Sequence, residues 1–381
     1  MTAASLANPP APERIEALDG VRGLAILLVI VMHATLVFFV DQLPAFERLG
    51  TDHACVRLAL LGWCGVDVFF VLSGYLITGI LLRSRGSPHY FRNFYARRAL
   101  RIFPLYYVVV VLLLFVLERP PTTPVEQAAH LLYWQNFRYA LLGDVPADLA
   151  LVVTWSLAIE EQFYLVWPAV VRFVSPRALC IACAGMIVGA IALRVGLSTA
   201  SDVRTHFLTP CRMDTLAAGA LLALVPLPPA WLGRLLALGG AALLAAIAWK
   251  DDSSFPEGLA MQRFGLVAAL ALAAGVLVLA RGAGAFARVC ENGALRSLGR
   301  YSYCVYLTHL LVVEACSRAW RAAPVGVREW LAANGPAPGV LIAFIASCTA
   351  ASWCVGWLSW HLFERHVLAC KRHFADAPAK L

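Results

Sequence analysis

The chain has 381 residues, 61% apolar and only 14% charged, and its mean hydropathy is +0.73. A soluble domain averages about 45–50% apolar and about 25% charged residues, so this composition excludes a water-soluble globule. It excludes a disordered chain, which needs low hydrophobicity and high net charge, and eleven cysteines in so long a chain do not make a secreted disulfide scaffold. The class that remains is all-α: a polytopic transmembrane helical bundle.

Taken in chain order, apolar runs near 20 residues mark spans, because about 20 residues of helix cross the hydrocarbon. About ten are expected: 24–40, 58–82, 102–117, 152–171, 178–197, 212–225, 232–249, 260–280, 301–317 and 339–360. The run at 212–225 is short. Residues 128–142 are apolar but carry His130, Asn136, Gln135 and Arg138, and read as an interfacial or re-entrant segment. The first run follows polar residues that include Glu13, Glu16 and Asp19, which does not fit a cleavable signal peptide.

The net charge of +8 comes from 31 Lys+Arg against 23 Asp+Glu. These basic residues lie between the apolar runs rather than on one soluble face. No nucleic acid partner is therefore expected, and the bias reads as the positive-inside rule of membrane loops. The loop between the second and third runs holds six arginines, Arg83, Arg85, Arg92, Arg97, Arg98 and Arg101. Its charge sets both termini on the cytoplasmic side, N-in and C-in. The expected organisation is a cytoplasmic N-terminal tail at 1–23, a transmembrane domain at 24–366 and a cytoplasmic C-terminal tail at 367–381.

The cysteines match no metal pattern: Cys180 and Cys183 form a CxxC with no partner pair. There is no GxxxxGK[ST] and no GxGxxG, so no nucleotide loop is indicated. The chemistry must then reside in polar residues placed inside the spans, where they are costly.

The first run reads LDGVRGLAILLVIVMHA. Arg22 and His33 are eleven residues apart, which returns them to one helix face with His33 about 16 Å deeper. Asp19, three residues before Arg22, is placed to hold it. The second run, CGVDVFFVLSGYLITGIL, carries Asp67 and Ser73. The segment TWSLAIEEQFYLVWP sets Glu160, Glu161 and Gln162 in an apolar span, with Trp155 near its outer end. The run YSYCVYLTHLLVV puts His309 about 12 Å in from Tyr301. Depth measured along each run brings His33, Ser73, Glu160 and His309 to one level, which predicts one polar cavity in mid-bilayer. The arginine loop RSRGSPHYFRNFYARRALRIFP, interleaved with aromatics, would form its mouth. Guanidinium forks match phosphate oxygens, so Arg92, Arg97, Arg98 and Arg101 suit a polyanion; anionic-lipid contact is the alternative for the same residues.

These stretches, together with RRALRIFPLYY, RMDTLAAGALLA and a late FER, occur in order over nearly the whole chain and resemble the integral-membrane acyltransferase 3 family. Bacterial members of that family O-acylate polysaccharides, lipopolysaccharide and some small glycosides. The resemblance implies that Arg22 and His33 are the essential arginine and histidine and that Glu160 is the glutamate of the WSLxxE stretch. It implies no permanently bound cofactor but an acyl-coenzyme A donor, by default acetyl-coenzyme A, with its phosphates on Arg92, Arg97, Arg98 and Arg101. The acceptor would be a glycan or glycolipid hydroxyl, in the bacterial inner membrane. No stretch resembles the SGNH hydrolase-like domain that some members carry, so acceptor handling is expected to fall to the membrane domain or to a separate protein.

The chemistry needs a general base, for which His33 is suited, oriented by Glu160 or Asp67. Arg22 or Ser73 would donate to the oxyanion. Trp155, Tyr164, Arg212, Asp214, Tyr303 and His309 are the candidate substrate-binding residues. Direct transfer and a covalent acyl-His33 or acyl-Ser73 stage both remain open. The competing class is a transporter or flippase of a glycan or lipid, which would also use buried charges; the inverted repeats common in transporters are not found.

Overall fold

A computed structural model describes residues 16–40, 54–117, 123–142, 148–197, 204–250, 264–324, 326 and 337–374. Among these residues the regular structure is helical throughout, with no strand. The tail before residue 16, residues 260–263 of the eighth apolar run and residues 375–381 lie outside the described residues.

Helix α1 (Glu16–Val40) opens the chain. It begins eight residues before the apolar run, so residues 16–23 belong to the bundle rather than to a tail; Ala17, Leu18, Asp19 and Val21 are buried. Helix α2 (Cys64–Ser84) follows and takes in Arg83 of the arginine loop, and α3 (Tyr90–Val111) carries Arg92, Arg97, Arg98 and Arg101 as helix. Helices α4 (Pro124–Leu131) and α5 (Gln135–Leu142) are short. Then come α6 (Trp155–Phe173), α7 (Pro176–Leu197), α8 (Thr209–Leu224), α9 (Ala230–Lys250) and α10 (Leu266–Arg281). The last are α11 (Gly293–Arg300), α12 (Ser302–Ala322) and α13 (Ala337–Ser359).

Seven of the described helical segments are long and apolar enough to cross a membrane: 16–39, 55–84, 90–116, 149–173, 176–197, 230–249 and 338–374. The other three apolar runs fall on α8, α10 and α12. The first two have 16 residues each, short of a bilayer. Helix α12 has 21 residues, but polar residues lower its hydropathy: Tyr306 and His309 face the protein interior, while Glu314 and Arg318 pair towards its exposed end.

Helices α1 and α2 are the centre of the bundle. Helix α1 packs against α2, α11, α12 and α13, and α2 against α1, α6, α8 and α10. Glycines allow the closest of these approaches. A Cβ built on Gly74 would stand 2.0 Å from the Leu216 carbonyl oxygen, and one on Gly219 would stand 1.9 Å from that of Val71. The α2–α8 seam is thus backbone on backbone, as small residues permit in membrane helices.

Residues 124–142 do not form one helix. Thr123 and Glu126 cap α4 in a reciprocal pair, and the chain turns at Tyr133, which has φ 57°. Gln135 and Asn136 are fully buried, whereas Leu132, Trp134, Leu141 and Leu142 are exposed. This polar-in, apolar-out arrangement is that of a re-entrant or interfacial element packed on α6. Gln162 fastens it, donating to the Tyr133 carbonyl at 2.8 Å and to Asn136 Oδ1 at 2.9 Å.

Candidate active site

Two connected cavities lie on the axis between α1, α2, α3, α6 and α12. The wider one, about 650 Å³, is the mouth. Its wall carries Arg22, Arg83, Arg97, Arg98, Arg101, Arg300 and Lys371 against one carboxylate, Asp19. The narrower one, about 130 Å³, leads inward and is lined by Ser73, Glu160, Tyr164, Ser156, Tyr303 and Tyr306 among apolar residues. Arg22, Arg98 and Arg101 border both, so they form the neck. Excess like charge in a low-dielectric cleft focuses attraction for anions.

Local contacts hold the neck open. Arg22 Nη1 donates to Asp19 Oδ1 at 3.0 Å, the i, i+3 pairing expected on α1. The Arg98 guanidinium lies 5.1 Å from the centroid of the Tyr164 ring and that of Arg101 6.0 Å from Tyr303. Cation–π contacts fix such side chains without neutralising them. Tyr303 donates its hydroxyl to the Ile102 carbonyl at 2.6 Å, tying α12 to α3.

Below the neck, Ser73 and Tyr164 share a short hydroxyl–hydroxyl hydrogen bond, and the Glu160 carboxyl faces both, in the field of Arg98 and Arg22. Val66, Phe69, Phe70 and Tyr306 also line the narrow cavity; His33 and His309, expected at the same level, are not in its wall and lie behind Tyr306. Tyr306 is fixed from behind: its hydroxyl donates to the Val153 carbonyl at 3.0 Å and accepts from Ser156 at 2.6 Å. Its ring stands 5.9 Å from that of His309.

The His309 ring meets His33, with Nε2 of His309 3.2 Å from Nδ1 of His33 and the ring centroids 4.9 Å apart. His309 is fully buried and His33 half-buried. Each ring is also anchored on its own helix. His33 Nδ1 lies 3.0 Å from the Val29 carbonyl and His309 Nδ1 2.8 Å from that of Tyr306.

The structure rearranges several expectations. Among the described residues no carboxylate pairs with His33; its hydrogen-bond neighbours are Val29 and His309. Asp67 is turned the other way, towards α8, where Arg212 Nη2 donates to its Oδ1 at 2.7 Å. Beside it Arg194 Nη2 meets Asp214 Oδ2 at 2.6 Å, and Arg194 also donates to the Cys211 carbonyl. The Arg212 guanidinium is flanked by Phe70 and Trp155, at 5.7 and 5.6 Å. Arg212, Asp214 and Trp155 therefore build a closed ionic core next to the cavity and are not in its wall. Pairing explains this, since buried charges persist only when partnered. Arg92 also leaves the mouth, lying over Phe374 at 5.6 Å. Tyr164 and Tyr303 do line the cavity.

Arg83 belongs to the arginine loop expected at the mouth, whereas Arg300 and Lys371 were not singled out as mouth residues from sequence. Lys371 is one of three lysines in an arginine-dominated chain, a signal that could have marked it. Arg194, another residue not singled out, stands inside an apolar run, which is itself a signal.

Residues 15–357 match the acyltransferase domain family, and the chain belongs to that family. Over 206 residues, 49% of the chain, it is 34% identical to the protein YrhL of Bacillus subtilis, of which the match covers 32%. It is 27% identical over 334 residues to the O-acetyltransferase OatA of Staphylococcus aureus, covering 79% of this chain and 51% of that one. A peptidoglycan O-acetyltransferase OatA of Listeria monocytogenes is 31% identical over 169 residues, 41% of this chain and 24% of its own length. The chain thus spans about half or less of the curated relatives it matches. No solved structure matches.

Proposed function

We propose that the protein is a multi-pass O-acyltransferase of the bacterial inner membrane, carrying an acetyl group from acetyl-coenzyme A to a glycan hydroxyl. The observation that carries this reading is the continuity of a strongly cationic mouth with a narrow polar cavity through Arg22, Arg98 and Arg101. Coenzyme A has a phosphate-bearing head and a slender pantetheine arm, which match a wide cationic chamber and a narrow neck. The positive-inside bias puts that mouth in the cytoplasm, where the donor is made. The names of the relatives point to peptidoglycan as the acceptor.

In this reading the phosphates rest on Arg97, Arg98, Arg101, Arg300 and Lys371, and the thioester reaches the level of Ser73, Glu160 and Tyr164. The acceptor hydroxyl gives its proton to His33 Nε2 as its oxygen bonds to the thioester carbon. The developing oxyanion is met by the Ser73 and Tyr164 hydroxyls. The carbon–sulfur bond then breaks, the ester leaves, and the thiolate recovers the proton from His33.

Purified protein reconstituted in liposomes, given radiolabelled acetyl-coenzyme A and peptidoglycan fragments, separates this reading from a transporter. Label appearing in the glycan as a base-labile ester supports the enzyme. Glycan crossing the bilayer unacetylated contradicts it.

A further inference from the structure

Three ring nitrogens and two carbonyl oxygens decide how His33 carries its proton. His309 Nδ1 lies 2.8 Å from the Tyr306 carbonyl, and a carbonyl only accepts. The neutral His309 ring therefore has its hydrogen on Nδ1 and a lone pair on Nε2. That lone pair faces His33 Nδ1 at 3.2 Å. The Val29 carbonyl, at 3.0 Å, is the second neighbour of the same His33 nitrogen. Both neighbours accept, so His33 Nδ1 bears hydrogen and its Nε2 bears the lone pair. Among the described residues the hydrogen bonds of His33 all run through Nδ1.

We infer that His309 is a positioning residue for His33. Its buried Nε2 locks His33 in the Nδ1–H tautomer and leaves Nε2 as the nitrogen that receives the acceptor proton. This rests on the reading of His33 as the general base. The orienting task is the one a buried aspartate performs for the histidine of a serine hydrolase. A second imidazole performs it here without adding a fixed charge to mid-bilayer, where a charge is expensive. When His33 Nε2 takes the alcohol proton, the ring becomes an imidazolium. Its Nδ1–H stays on the bonds to His309 and Val29, which become charge-assisted and stronger. The added proton then leaves Nε2 for the departing thiolate, and His33 returns to its starting form. Neither histidine is in the wall of the donor cavity, and His309 meets the site through its contact with His33, so it acts through His33 and not on the donor.

Two substitutions at His309 and one spectrum test this. In His309→Asn the amide stays near the Tyr306 carbonyl and no longer reaches His33. In His309→Gln an amide oxygen occupies the place of Nε2 and accepts again. Loss of the orienting partner of a catalytic histidine costs up to about 10⁴-fold, so His309→Asn should lower kcat by at least about 100-fold with an unchanged KM for acetyl-coenzyme A. His309→Gln should recover at least about tenfold of that loss, the lower end of what a hydrogen bond to a group that becomes charged contributes. A merely space-filling role predicts no such split. In the full-length protein with isotope-labelled histidine, the nitrogen NMR spectrum should show His33 with a protonated Nδ1 and a bare Nε2, and loss of that single form in His309→Asn. An Nε2–H tautomer at His33 in the wild type, or an unchanged kcat in His309→Asn, overturns the inference. The spectrum reads the pairing without catalysis, whereas wild-type activity in His33→Ala would remove the base itself and leave His309 nothing to orient.

Discussion

Asp67 and Arg212 meet at 2.7 Å across the seam of α2 and α8, and neither side chain is more than 1% exposed. With the neighbouring Arg194–Asp214 pair they form an ionic core outside the walls of the mouth and of the narrow cavity. Breaking one partner of such a pair costs about 3–5 kcal/mol, while replacing both by apolar residues of similar volume is often neutral or better. Asp67→Leu and Arg212→Met should each sharply lower the melting temperature in detergent, and the double variant should regain most of it. A raised KM for acetyl-coenzyme A in folded Arg212→Met would show instead that this arginine binds substrate.

The mouth predicts a charge effect that depends on place. Arg97→Gln, Arg98→Gln and Arg101→Gln should each raise the KM for acetyl-coenzyme A by about tenfold, since hydrogen bonds to charged groups contribute about 1.5–3 kcal/mol. The effect should shrink at high salt for Arg97 at the wider end. Arg92→Gln should leave that KM within about twofold, because exposed charges away from a site contribute little and Arg92 lies over Phe374. Initial-rate kinetics on the purified variants check both.

Much of this was legible in the sequence, for physical reasons. Apolar runs reported helices because the bilayer leaves few alternatives, and the Asp19–Arg22 contact followed from helical spacing alone. Arg22 and Ser73 were placed by depth along a helix, a one-dimensional quantity. What depth does not encode is which way a side chain turns about the helix axis. Asp67 and Ser73 share a helix, yet one faces α8 and the other the cavity. The same ambiguity hid the His33–His309 contact: both were at one level, but a carboxylate was the more familiar partner for a base. The burial of α1 from Ala17 onwards was not expected, because Glu16, Asp19 and Arg22 interrupt the apolar pattern there, although this turn packs against α11.

The α2–α8 seam predicts a steric penalty. A methyl group at Gly219 would collide with the Val71 carbonyl, part of rigid backbone. Gly219→Ala should cost about 3 kcal/mol, the upper range for overpacking. Gly185→Ala, where a Cβ would meet nothing within 4 Å, should not destabilise the protein. Thermal melting of the two variants side by side checks the contrast.

The short helices at 124–142 predict a dependence on pH. Burial alone would raise the pKa of Glu126, but hydrogen bonds from Thr123 and the nearby Arg138 guanidinium outweigh it, so its carboxyl is held below the ordinary value. A lowered native pKa makes the ionised form stabilising above the unfolded-state value, and that stability is lost as pH falls through the native one. Glu126→Gln should therefore melt below the wild type at neutral pH, and the two curves should converge in acid.

The most direct measurement is a single-turnover experiment on purified wild type and His33→Ala, each loaded with radiolabelled acetyl-coenzyme A and mixed with a glycan acceptor. A base at His33 predicts equal donor binding in the two proteins and transfer at least about 100-fold slower in the variant, within the range general-base catalysis supplies. Transfer at the wild-type rate in His33→Ala would contradict it.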